Sequence, residues 1–489
     1  MIQITDKIYN REQNQAGCYY QGNLDERCEN MVFGSISFLL YFFPLFFIIF
    51  AVTPIKYRKY VLTLGSVVFY TEGLREIRGA LLFLIMILVN FGLGCRIYRA
   101  MQPRQSKRKR ERSRKKVRIW LIAGIVINAG VLMLYKFGVL KRGMPLGISF
   151  FTFQNIAYLV DVYRGETVGE KSFVNYLNYM FFFPKAGSGP ITRYQKVRYE
   201  LEKPKISAEK IQSGLGVFTA GLAYKVLLAD RIGTLWYSAQ SIGYESLSVA
   251  YAWLAAIAYS MRLYFDFYGY SLMAVGLGRI LGVTLPENFR DPYMARGVRG
   301  FYRRWHITLG TWFRDYVYIP LGGSKKGKIR TILHLLCVWL LTGLWHGVSL
   351  NFVLWGVLLC LLIIMERAAN KKKLFARFKI LPHLYLWAVI PVTWVCFAIT
   401  DTGDLLVYLG RMSGLLKGIN VRSRDWLYAL EELKYYLAAG AVACTPLLQK
   451  IYRRYEGKWW SQLALAVLFW ICVWRIHVDG NNPFMYFNF

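Results

Sequence analysis

Thr342-Gly343-Leu344-Trp345-His346-Gly347-Val348-Ser349-Leu350-Asn351 is the polar interruption in a mostly apolar run between basic blocks that end at Arg330 and resume near Arg367. As one straight helix the run would extend roughly 50 Å at 1.5 Å per residue, against a bilayer core of about 30 Å. Basic residues hold flanking segments on the cytoplasmic side. With both flanks there, the chain must enter and return. A turn at 342–351 leaves two short helices and sets His346 well inside the bilayer profile, in a dent rather than against lipid. Broken backbone at that depth must be buried in protein or line a wet cavity, so a hydrated cavity is expected at His346.

The composition around this run is that of a membrane protein: 55% hydrophobic and 17% aromatic, with 15 Trp and 35 Tyr. Val32–Val52, Ala80–Leu93, Ile119–Leu134, Leu384–Ile399 and Leu463–Val473 are apolar with few or no charges. Several fall short of the ~20 residues of a clean span, so flanking aromatics and tilt must supply the rest. The expected class is an all-α, multi-pass membrane protein of roughly 10–12 transmembrane or re-entrant helices plus interfacial amphipathic helices. The net charge of +34 would indicate nucleic acid in a soluble chain. Here it lies in short blocks between apolar segments: Arg104–Arg118, Ser324–Arg330 and Lys371–Lys379. These are cytoplasmic retention signals, and nucleic acid is not an expected partner. The eight cysteines lack the C-x-x-C spacing of metal sites.

Residues 1–30 are polar and carry no apolar core of a signal peptide. They read as an extension upstream of a true start at Met31, with residues 31–489 forming the membrane domain. Phe301, Trp305, Leu309, Trp312 and Tyr316 step by three or four, and Arg299, Arg303, Arg304 and Arg314 lie off that stripe. That pattern predicts a basic amphipathic helix along the cytoplasmic interface, with His306 at the edge of its apolar face. Arg262 with Asp266, and Lys225 with Asp230, are expected to pair internally. Lys185 either snorkels to an interface or faces a tunnel. Gly276-Leu277-Gly278-Arg279-Ile280-Leu281-Gly282 lacks the spacing of a dinucleotide fingerprint and is expected to serve helix packing.

Of five histidines, His346 and His306 sit where an ionisable group is costly and marks a functional site by default. A neutral imidazole at His346 can take a proton from a hydroxyl and return it to a leaving group, as acyl transfer from a thioester to an alcohol requires. Trp345 and Gly347 shape the turn, and Asn351 offers an amide one helical turn beyond. No Ser or Cys nucleophile is paired with it, so direct base-assisted transfer is the simpler scheme. This chemistry needs His346 in a hydrated pocket reachable from both sides of the membrane.

Arg303-Arg304-Trp305-His306-Ile307-Thr308-Leu309, Trp312-Phe313-Arg314-Asp315-Tyr316-Val317-Tyr318-Ile319-Pro320-Leu321-Gly322-Gly323 and Thr342-Gly343-Leu344-Trp345-His346-Gly347 together resemble the signature of the membrane-bound O-acyltransferases (MBOAT). Within that family they are most similar to the alginate O-acetyltransferase membrane-subunit branch. Phe265-Asp266-Phe267-Tyr268-Gly269-Tyr270-Ser271 and Asn288-Phe289-Arg290-Asp291-Pro292-Tyr293 extend the likeness, which runs in order over 31–489. The resemblance implies an MBOAT fold in a bacterial cytoplasmic membrane. It implies transfer of an acyl group, expected to be acetyl, from a cytoplasmic thioester such as acetyl-CoA or an acyl-carrier protein toward an extracellular or cell-wall polysaccharide. It assigns His346 and His306 to catalysis, and an extracytoplasmic acetyltransferase as partner alongside membrane lipid. Trp345, Asn351, Lys185, Arg304 and Asp315 are candidate substrate contacts, with no metal and no tightly bound cofactor expected. Leu272 after Ser271, and Lys185 after Phe-Phe-Pro, depart from the family pattern. The alternatives are D-alanyl transfer to teichoic acid from a carrier protein, and a transporter, which would require inverted repeats.

Overall fold

The computed structural model describes residues 31–73, 77–101, 107–140, 144–145, 147–371, 378, 380–480 and 484. The extension at 1–30 and most of the basic block at 371–379 lie outside the described residues. Among those described, the regular structure is helical. Seven helical stretches are long and apolar enough to cross a membrane: Arg78–Met101, Lys115–Lys136, Ala208–Ile242, Lys328–His346, Leu350–Ala369, Leu381–Ala398 and Trp459–Asp479. A shorter apolar stretch covers Ser37–Val52. The chain is a multi-pass, all-α membrane protein.

Nine helices position the region of the two histidines: α1 (Lys107–Lys136), α2 (Ile148–Arg164), α3 (Ala208–Ala223), α4 (Val249–Ile280), α5 (Val298–Tyr302), α6 (Ile307–Phe313), α7 (Lys328–His346), α8 (Leu350–Lys371) and α9 (Leu381–Ala398). Buried α4 forms the centre. Its first turn is capped by the Ser248 hydroxyl, which accepts from the Tyr251 amide at 3.0 Å. Against it lies α3, so close that a Cβ on Gly276 would stand 2.6 Å from the Gly214 carbonyl oxygen, and one on Gly221 2.5 Å from that of Gly269. The Gly276 region is thus a helix-packing surface, as expected.

The chain turns back at Gly347–Ser349, where the polar interruption predicts, but the two arms are not short. They have 19 and 22 residues, about 28 and 33 Å at 1.5 Å per residue. The break spans only residues 347–349, so both helices keep a membrane-crossing length, and length alone sets no mid-bilayer depth for His346. Gly343 and Gly356 close this hairpin: a Cβ on Gly343 would lie 2.4 Å from the Phe352 carbonyl oxygen, and one on Gly356 2.5 Å from that of Trp339.

The interfacial helix expected across 301–316 does not form as one piece. It breaks into α5 and α6 around a turn at Arg303–His306, and Phe301, Trp305 and Trp312 are buried in protein rather than laid on lipid. Helical spacing is kept on each side of the break, which is why the stripe looked continuous. The expected Lys225–Asp230 ion pair forms, and Asp266 joins it. Lys225 bridges Asp230 at 2.6 Å and Asp266 at 2.8 Å, while Arg262 stacks 4.3 Å from the Tyr237 ring. A wide helical turn at Tyr224–Ala229 brings Lys225 and Asp230, five residues apart, onto one face.

Both α1 and α7 begin at basic blocks, and their far ends meet: Lys136 Nζ donates to the His346 carbonyl at 3.5 Å. The two helices therefore cross in the same direction. With native cysteines replaced by Ala, a cysteine at exposed Ser324 is expected to react with an impermeant maleimide only from the cytoplasm. One at exposed Leu140 should react only from outside. Labelling of both positions from one face would overturn this topology.

Candidate active site

His346 ends α7. The last helical bond runs from the Gly347 amide to the Gly343 carbonyl at 3.2 Å, and Gly347 then continues in extended conformation. The imidazole is 7% exposed. Aromatic rings wall it: Trp345 at 4.4 Å between ring centroids, Phe397 at 4.9 Å, Trp355 at 5.3 Å and Phe352 at 6.2 Å. Aromatic rings thus line the place where a hydrated cavity is expected. The compact turn lets Phe352 fold back over the ring, while α9 supplies Phe397. Open apolar depressions of about 480 and 240 Å³ lie elsewhere, against Trp459–Asp479.

His306 is held by a different device. Its backbone is left-handed, φ 45° and ψ 54°, a conformation that costs a non-glycine residue about 1–3 kcal/mol and persists only where surroundings impose it. A loop imposes it here. The Arg290 amide donates to the Arg304 carbonyl, and the Ile307 amide to the Asn288 carbonyl, both at 2.9 Å. These two bonds clamp the chain on either side of the histidine. Asn288 also reaches the ring itself, with Oδ1 3.0 Å from His306 Nδ1. The same oxygen accepts from the Thr308 hydroxyl at 2.9 Å and the Thr308 amide at 3.3 Å, while Asn288 Nδ2 donates to Ser271 Oγ at 3.1 Å. Thr308 Oγ1 in turn accepts from the Ile191 amide at 3.1 Å. The ring is 5% exposed and lies outside the seven spans. Burial pushes its pKa down to about 3, so it is neutral.

Trp345 joins the two histidines. Its ring centroid stands 6.4 Å from His306 and 4.4 Å from His346, and Phe150 and Phe153 of α2 hold it at 5.9 and 5.5 Å. Forty residues of sequence separation thus collapse into one aromatic-walled centre with both imidazoles packed against one indole. The Trp345 indole N–H and His306 Nε2 are buried and have no hydrogen-bond partner among the described residues.

The other candidates sit around this centre with different duties. Asn351, 2% exposed, donates its amide to the Phe397 carbonyl at 3.0 Å and the Cys396 carbonyl at 3.4 Å. It thereby caps the end of α9, whose last carbonyls lack helical partners. Lys185 is also 2% exposed, which removes the snorkelling alternative. Its ammonium donates to Gln154 Oε1 at 2.7 Å and lies 3.9 Å from the Tyr179 ring. Arg304 braces the Asn288–Asp291 loop through the Asp291 carbonyl at 3.4 Å. Asp315 ion-pairs with Arg193 and with Arg314, in a charged cluster where Arg164 donates to the Asp315 carbonyl. The structure thus brings Trp345 to both imidazoles and gives Asn351, Arg304 and Asp315 bracing contacts. Asn288, Thr308 and Ser271 went unassigned at the level of sequence. The one signal is an Asn in a polar loop preceding the His306 stretch.

Two buried histidines packed against one indole thus lie within a helical membrane scaffold. Residues 81–410 match the model of the MBOAT, membrane-bound O-acyltransferase family. The chain belongs to that family and is an acyltransferase. It is 32% identical over 392 residues to a protein of Pseudomonas fluorescens named probable alginate O-acetylase AlgI, covering 79% of this chain and 75% of that protein. It is 28% identical over 533 residues to the peptidoglycan O-acetyltransferase of Helicobacter pylori, covering 94% of this chain and 98% of that protein. The teichoic acid D-alanyltransferase of Bacillus subtilis is 29% identical over 269 residues, 52% of this chain and 67% of that protein.

Proposed function

We propose that the protein moves an acetyl group from a cytoplasmic thioester across the bacterial cytoplasmic membrane for O-acetylation of an extracellular or cell-wall polysaccharide. The observation that carries this reading is the pair of buried imidazoles packed against Trp345. In the proposed reaction the acceptor hydroxyl adds to the thioester carbonyl carbon. The new C–O bond forms as the C–S bond breaks, and His346 takes the hydroxyl proton and returns it to the departing thiolate. The donor is acetyl-CoA or a loaded carrier protein, with no resident metal or cofactor. An extracytoplasmic acetyltransferase completes delivery to the polymer. The aromatic box around His346 makes displacement of a wall ring a condition of substrate entry, and the same rings then exclude water from the thioester.

Two relatives over most of the chain are named for O-acetyl transfer, whereas the D-alanyltransferase likeness spans about half of it. This favours acetyl over D-alanyl. Purified protein in lipid nanodiscs is expected to turn over radiolabelled acetyl-CoA or acetyl-loaded carrier. Turnover confined to D-alanyl-loaded carrier would replace the acetyl reading. Retention of label by sealed vesicles as unreacted cargo would replace enzymatic transfer with transport.

A further inference from the structure

The bonds around Asn288 decide which nitrogen of His306 carries the proton. Asn288 Oδ1 faces the Thr308 backbone amide at 3.3 Å and the Thr308 hydroxyl at 2.9 Å. A backbone N–H only donates, so the side-chain atom facing it is the oxygen. The orientation is corroborated at the other end, where Asn288 Nδ2 has an acceptor in Ser271 Oγ at 3.1 Å. The Thr308 hydroxyl is consistent too: its oxygen already receives the Ile191 amide, leaving its hydrogen for Asn288. An amide oxygen can only accept. The imidazole nitrogen 3.0 Å away, Nδ1, must therefore be the protonated one. In a neutral ring that leaves Nε2 as a bare lone pair.

Nε2 is buried without a partner, and so is the indole N–H of Trp345 beside it. An unmet buried polar group costs about 1–3 kcal/mol, and native structures rarely keep such groups without a use. One unmet acceptor and one unmet donor at neighbouring rings fit a ligand that offers both, as a hydroxyl donor and a carbonyl acceptor do.

We propose that Asn288 is a positioning residue that locks His306 as its Nδ1–H tautomer, so that Nε2 receives a hydrogen bond from a non-reacting hydroxyl of the acceptor and cannot donate to the thioester carbonyl. The inference rests on the acyl-transfer reading above and gives the two histidines separate duties. His306 Nε2 orients the acceptor through that neighbouring hydroxyl, His346 removes the proton of the reacting hydroxyl as the ester bond forms, and the Trp345 N–H is the donor left for the carbonyl oxygen.

The test is nitrogen NMR of the full chain in lipid bilayers with 15N-labelled histidine, His306 being assigned by its loss in His306→Gln. A protonated Nδ1 with a lone-pair Nε2 is expected; an N–H at Nε2 in the wild-type protein overturns the proposal. Asn288→Leu removes the acceptor and is expected to populate the other tautomer and slow transfer about 10²-fold. Asn288→Asp keeps an acceptor and should retain the Nδ1–H signature with part of the rate. An unchanged spectrum and rate in Asn288→Leu would also overturn it. Full transfer by His306→Ala would refute the hydroxyl contact even with the tautomer confirmed. Full transfer by His346→Ala strikes the acyl-transfer mechanism instead, and the NMR signature reports independently of either.

Discussion

A His346→Ala protein is expected to insert into the membrane in normal amount and to leave no measurable acetate on the polymer. A positioned base contributes about 10²–10⁴-fold to a reaction of this kind. His306 is not expected to take over, because Asn288 holds its ring against Trp345. The substitution opens space inside a box of four rings, so His346→Gln, which refills much of it, is the companion variant. The two should be equally inactive if the loss is chemical. Acetate on the polymer at wild-type level in either variant would remove His346 from catalysis.

The second large effect is expected from a single methyl group. In Gly343→Ala the new carbon would stand 2.4 Å from the Phe352 carbonyl oxygen. The obstacle is backbone, which cannot rotate away as a side chain would. The α7–α8 hairpin must part, and overpacking of this sort costs about 1–3 kcal/mol. Gly343 lies one helical turn before His346 and its carbonyl accepts the last bond of α7, so the displacement passes to the imidazole. A misplacement of about 1 Å at a reacting group can lower a rate by roughly 10²-fold. Gly92→Ala is the control, since nothing lies within 4 Å of its added carbon. Transfer rate and detergent-extracted thermal stability should both fall for Gly343→Ala and neither for Gly92→Ala. A Gly343→Ala protein with wild-type transfer would mean that the hairpin tolerates spreading at the site.

What is local and periodic in this chain is legible in its sequence. The apolar run broken at 342–351 located the turn of the α7–α8 hairpin, the apolar segments announced an all-helical membrane protein, and the two histidines stood out by the cost of placing them there. What is not legible there depends on contacts distant in sequence. The stripe from Phe301 to Tyr316 has helical spacing throughout, and nothing within it announces that Asn288 takes the Ile307 amide and forces His306 left-handed. Asp266 stands four residues from Arg262, but Lys225, on another helix, reaches it at 2.8 Å. The cost of broken backbone in lipid predicts a wet cavity. Protein burial meets the same condition, and aromatic side chains from α8 and α9 supply it.

The glycine contacts bear on how the molecule can move. Helices α3 and α4, like α7 and α8, touch main chain to main chain at these glycines, which leaves little room there for either couple to slide. Each couple is a stiff frame. Just ahead of α7 the chain passes Gly322, Gly323 and Gly327, at φ 116°, 55° and 92°, a stretch suited to act as a hinge. Admitting cargo to the far end of α7 would then require swinging the entire hairpin as one lever, with its terminal imidazole riding along.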